Sequence, residues 1–99
     1  MEVLITAWEN IREEEIVSGM QYDNQNFFSE MYDRYAPSLY GLILKWVKQI
    51  KTAGLLLHNT FIKAWHSRKL FDAKTERFYI WLCRLARICY TEHLGIRIY

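Results

Sequence analysis

Phe78, Trp81, Leu82, Leu85, Ala86 and Cys89 stand at i, i+3, i+4, i+7, i+8 and i+11. Only an α-helix turns that spacing into one continuous apolar face, whereas a strand would divide these side chains between both sides of a sheet. The rest of the chain agrees, with one proline, four glycines and few β-branched runs, which favours helices throughout. The expected fold class is all-α, a small bundle of about five helices. The first covers roughly 2–17, with Gly19 as its stop, and a polar linker runs over 21–26. A short helix at about 26–35 precedes one opened by Pro37 and reaching about Ile50. Thr52 is the expected N-cap of a fourth helix ending near Arg68, with Gly54 weakening its first turn. A loop over 69–75 leads to the last helix, about 76–94, with Gly95 where a C-terminal stop belongs.

Hydrophobic residues make up 52% of the chain and aromatic residues 16%, enough apolar area for the core of one domain. The expected division is an acidic N-terminal helix and linker over 1–25 and a helical domain over 26–99. Cys83 and Cys89 lie six apart in a helical segment, about 120° around its axis, which does not suit a disulfide. Reduced thiols in a cytoplasmic protein are the expectation. The start, Met1 to Ile5, lacks the basic opening and apolar run of a signal peptide. The longest apolar run, Leu39 to Leu44, falls far short of the roughly 20 residues of a membrane helix, so no membrane partner is expected.

A net charge of +2 conceals an uneven distribution. Residues 1–36 hold eight acids and two bases, and residues 37–99 hold eleven bases and three acids. Such a split suits a basic surface for a polyanion, with an acidic segment that faces elsewhere or covers it. On the last helix Arg77, Arg84 and Arg87 share a face apart from the apolar stripe. The fourth helix has a core stripe, Leu57, Phe61, Ala64 and Trp65, and a second stripe of Leu55, Asn59, Ile62 and His66. The second stripe reads either as a partner surface or as part of a larger monomer core.

Three segments carry a resemblance to a known family. Phe28-x-x-Met31-Tyr32-x-x-Tyr35-Ala36-Pro37-x-Leu39-Tyr40 resembles the opening of region 2 in the extracytoplasmic-function group of bacterial RNA polymerase sigma factors. Leu56 to Trp65 resembles the next helix of that family. Phe71-Asp72 and Phe78-x-x-Trp81-Leu82-x-x-Leu85-Ala86-Arg87 resemble its final helix. The likeness spans roughly 26–94 in the family's order and spacing.

The resemblance implies a transcription-initiation module and no enzyme. Its implied partners are the clamp of core RNA polymerase and the promoter −10 element, whose non-template strand is captured as the duplex opens. Lys69, Lys74, Arg77, Arg84 and Arg87 are the residues to neutralise phosphates. Phe71 is either a stacking surface for an unpaired base or an anchor of its loop on the core. Trp81, inside the apolar stripe, is expected in the core. Leu55, His58, Asn59, Ile62 and His66 form the expected polymerase or partner surface. Where the family carries acids, this helix has Gly54, Leu55 and Asn59, which removes charge complementary to a basic clamp. That departure supports a second reading, a protein-interaction module that binds an anti-sigma factor or another copy of itself. A third is a purely structural bundle. The family's C-terminal domain for the −35 element is not expected in a chain of this length.

No cofactor, metal site or catalytic residue is expected. His58 and His66 are eight apart on one helix, about 12 Å along its axis, too far for a shared ion. Cys83 lacks an evident base and Cys89 belongs to the core stripe.

Overall fold

The computed structural model describes residues 12–95, which form four α-helices and one short 3₁₀ turn. Helix α1 spans Glu13–Gln21, α2 Gln25–Val47, α3 Ile50–His66 and α4 Phe78–His93, with the 3₁₀ turn at Arg68–Leu70. The backbone N–H of Arg12 donates to Glu15 (3.2 Å) at the start of α1, and Glu13, Glu14 and Glu15 complement the positive end of its dipole. Asn24 caps α2 by accepting from the N–H of Asn26 at 3.0 Å. Lys48 ends α2 in the left-handed region, φ 59°, with its N–H on the Leu44 carbonyl.

Aromatic pairs fix the packing. Phe28 meets Trp65 at 5.5 Å and Tyr32 meets Phe61 at 4.7 Å, so α2 and α3 run antiparallel. Tyr35 meets Phe78 at 5.4 Å and Trp46 meets Tyr90 at 5.3 Å, so α4 runs along α2 in the same direction. The core between them holds Met31, Leu39, Ile43, Leu56, Phe61, Phe78, Leu82 and Ala86, with Ile16, Val17 and Met20 contributed by α1. Thr60 is buried with these residues, and its hydroxyl donates to the Leu56 carbonyl at 2.7 Å, which removes the cost of burying it.

The expected stripe of α4 is buried in full, and Gly95 follows that helix with φ +81°. Three helix boundaries differ from expectation. Gly19 lies inside α1, because the ring of Phe27 occupies the place of a side chain: a Cβ there would stand 2.2 Å from Cδ2 of Phe27. The chain turns only over 22–24. Pro37 lies inside α2, which joins two expected helices into one of 23 residues. Proline takes the donor from the Asp33 carbonyl, but both residues are exposed, so water serves that group while Met31, Tyr35 and Leu39 hold the helix from its other side. Helix α3 begins at Ile50, with Gln49 rather than Thr52 as its cap residue; the Thr52 hydroxyl donates to Gln49 Oε1 at 3.1 Å. Of the first expected helix, residues 2–11 lie outside the described residues.

Candidate nucleic-acid interface

The loop between α3 and α4 is built from its anchor outward. Phe71 is 6% exposed, edge-on to Phe78 at 5.2 Å and tilted against Trp81 at 5.2 Å. Trp81 is itself buried, as its place in the stripe demands. The side-chain amide of Gln21 donates to the carbonyls of Arg68 and Phe71, both at 3.0 Å, and so ties α1 to both ends of the 3₁₀ turn. Beyond Phe71, Asp72 Oδ1 accepts from the Lys74 N–H at 2.9 Å, and the Asp72 carbonyl accepts from the Thr75 N–H at 3.1 Å. This tight turn leaves Lys74 exposed, and Arg77, in extended backbone just before α4, exposed with it.

Of the two alternatives for Phe71, this packing favours the anchor, since a side chain so placed leaves little exposed ring for a base. The expected surface of phosphate-neutralising residues also divides into held and unheld cations. Arg84 is exposed but forks onto Glu76, with its Nε at 3.0 Å from Oε1 and its Nη2 on Oε2. That pairing holds the Glu76 carboxyl below its ordinary range and raises the Arg84 pKa. Lys69 lies 3.4 Å from Asp23, which Arg68 also grips at 2.5 Å. The Arg68 hydrogen bond, with Lys69 helping, lowers the Asp23 pKa. Arg68 is further fixed by a bond to the Trp65 carbonyl at 2.6 Å and by the Trp65 ring, 4.1 Å from its guanidinium. Among the described residues Arg87 has no acid partner; its guanidinium lies 5.0 Å over the ring of Trp46. Among the described residues, Lys74 and Arg77 have no ion pair.

The acidic segment faces part of this surface. Glu13 and Glu14 of α1 stand across a cleft of about 690 Å³ from Lys74 and Arg77. Glu13 accepts from the Tyr35 hydroxyl at 2.5 Å, and burial together with that carboxylate pushes the phenol pKa up. Helix α1 is nevertheless more than a cover, since Ile16 and Met20 are each 1% exposed.

On α3 the second stripe is open to solvent. Leu55, His58, Asn59, Ile62 and His66 are all exposed, with Leu55 at 52% and Ile62 at 40%. Leu55, Asn59, Ile62 and His66 line one groove of about 540 Å³ with Cys89, Glu92 and His93, whereas His58 lies outside it. The larger monomer core is not what these residues form. Burial pushes both cysteine thiols up, Cys83 and Cys89 alike, away from nucleophile chemistry. Among the described residues no three acids, histidines or cysteines gather as a metal site. Among the described residues no helix is long and apolar enough to cross a membrane.

Sequence reasoning missed Gln21, Asp23, Trp46 and Glu76. The sequence carried no signal for the Gln21 contacts, which span 47 and 50 residues. Trp46 between Lys45 and Lys48 was readable as an aromatic in a basic stretch, whereas its contact with Arg87 was not.

Comparison with curated proteins and with solved structures gave no match. Against the protein families, residues 31–94 match the model for sigma-70 region 2, a region of transcription-initiation factors engaged in RNA polymerase binding and promoter melting. The match covers α2 from Met31, the whole of α3 and α4 and the loop between them, and on that extent the chain belongs to the sigma-70 region 2 family.

Proposed function

We propose that this chain is a sigma factor-like transcription-initiation module that binds the promoter −10 element through its non-template strand and docks on the clamp of core RNA polymerase, working in the cytoplasm. The observation that carries the reading is the exposure of Lys74, Arg77, Arg84 and Arg87 along the loop and α4 while the aromatic side of α4 is sealed in the core. Cations so displayed neutralise phosphates without reading sequence. Lys69 joins them once a phosphate displaces Asp23, an exchange of one anion for another. Arg84 joins at the expense of Glu76.

The test is binding of the chain to single-stranded DNA carrying a −10-like sequence, followed as salt rises. Affinity falls steeply with salt, and Arg77→Glu with Arg87→Glu weakens binding to all sequences alike. Binding indifferent to salt and to both reversals overturns the proposal.

A specific observation favours a second reading beside it. The exposed Leu55 and Ile62, on a groove whose α3 side lacks the acids of the resembled family, suit another helical protein, such as an anti-sigma factor or a second copy of this chain. Leu55→Glu then abolishes association seen by light scattering; a chain that is monomeric and captures no partner removes this reading.

A further inference from the structure

The end of the bundle where α2 meets α3 carries a second set of cations. No aspartate or glutamate occurs between Asp33 and Asp72, while Lys45, Lys48 and Lys51 crowd into seven residues of that stretch. All three are exposed, and among the described residues none has an ion pair. Trp46 stands between the first two and is half-buried, with Tyr90 at 5.3 Å and the Arg87 guanidinium 5.0 Å over its ring. Ile50, beside Lys51, is 74% exposed.

Fold stability does not account for this placement. Lys45 in the last turn of α2 suits the negative end of that helix, but Lys51 stands in the first turn of α3, where a cation opposes the helix dipole and that turn holds no acid to offset it. Three like charges in seven residues also repel one another. The arrangement therefore favours an external polyanion. Its aromatic part narrows the choice. A guanidinium held against an indole keeps its donors ready for a phosphate at little entropic cost, and half-buried Trp46 and Tyr90 offer ring edges to sugars and bases.

We propose that Lys45, Trp46, Lys48 and Lys51, together with Arg87, form a nucleic-acid binding surface separate from the α3–α4 loop, which grips the phosphate backbone without regard to sequence. It extends the path of a bound strand from α4 across the end of α2 onto the start of α3. The surface rests on its own geometry, and it takes nucleic acid whether or not the loop prefers a −10 element.

The experiment measures binding of the whole chain to labelled oligothymidylate, which contains no −10 element, by fluorescence anisotropy between about 50 and 200 mM salt. In a Lys45→Gln, Lys48→Gln, Lys51→Gln variant the slope of log affinity against log salt becomes shallower by about 2, at about 0.7 per lost single-strand phosphate contact. The variant's affinity deficit is then roughly 20-fold greater at the low end of that range than at the high end. Its thermal midpoint does not fall, because the mutual repulsion and the opposed dipole are relieved. Trp46→Leu, with the lysines intact, lowers affinity by loosening Arg87. An unchanged slope in the triple variant overturns the proposal, as does equal binding of polyglutamate competitor and wild-type complex formation resistant to heparin. Arg77→Gln weakens binding to every sequence alike while the slope change of the triple variant persists in that background, which separates failure at the loop from failure here.

Discussion

Replacing Phe71 with leucine separates two roles that a loop aromatic can play beside a DNA surface. As an anchor, the ring is 6% exposed and touches Phe78 and Trp81 at 5.2 Å each. Leucine keeps most of the apolar volume and loses two aromatic contacts worth about 0.5–1.5 kcal/mol each, so Phe71→Leu destabilises by about 1–3 kcal/mol. For a domain of this size each kcal/mol lowers the midpoint by roughly 4–8 °C, which a thermal melt followed by circular dichroism resolves. DNA affinity, measured well below the melt, changes less than about twofold. As a stacking surface, the same substitution would leave stability alone and remove about 1–3 kcal/mol of single-strand binding. An unchanged midpoint with a fivefold or greater loss of affinity refutes the anchor argument. Phe71→Ala is the harsher form, costing about 3–5 kcal/mol, a large share of the roughly 5–15 kcal/mol that holds a domain together.

Gly19→Ala reverses the usual rule for a helix interior. Alanine gains about 1 kcal/mol in propensity, but its Cβ meets three ring atoms of Phe27 at 2.2–2.6 Å, and overpacking of that kind costs about 1–3 kcal/mol. The melt therefore shows no gain, and the same change in a Phe27→Ala background stabilises. Pro37→Ala returns a donor to the Asp33 carbonyl and relieves the ring's clash, raising stability by up to about 3 kcal/mol in denaturant unfolding. The Asp23 carboxyl titrates below its ordinary 3.8 because Arg68 binds its charged form. The folded state then holds fewer protons than the unfolded one, so this contribution is complete above the ordinary carboxylate range and is lost as pH falls through the lowered value. Asp23→Asn flattens the acid limb of the stability profile, and an unaltered limb refutes the pairing.

The helices were legible because their information is local. The spacing of the six apolar residues from Phe78 to Cys89 needs no knowledge of the rest of the chain, and all six are buried. The solvent-facing stripe from Leu55 to His66 was equally readable as a stripe, although its exposure depended on how α3 and α4 cross. Two of the three misplaced boundaries share one cause. Gly19 and Pro37 are helix breakers by intrinsic preference, and each is overridden by packing: the Phe27 ring in one case, the buried side of α2 in the other. The site suffered more, because charge identity is written in sequence and charge pairing is not. Arg84 and Arg87 are three residues apart on one face, yet one is bound by Glu76 and the other lies on Trp46.

That difference in pairing changes what the acidic N-terminal segment can do. A detachable cover would leave an intact bundle behind when removed, and deletion of residues 1–20 would simply raise DNA affinity. Here Ile16, Val17 and Met20 belong to the core and Gln21 holds the loop, so such a deletion opens the core and takes away the helix that positions Gln21 on the 3₁₀ turn. The acidic side chains are separable from the helix that carries them. Glu14 lines the open cleft with Lys74 and Arg77 and is exposed, so its replacement by glutamine strips negative charge from the DNA approach while α1 stays folded. Like charges beside a phosphate path act on association more than on shape. Glu14→Gln, which spares the Tyr35 hydrogen bond made by Glu13, therefore speeds DNA association at low salt and has no effect at high salt, as stopped-flow mixing would register. An association rate indifferent to Glu14 at every salt concentration would mean that the acidic wall does not influence the approach of DNA.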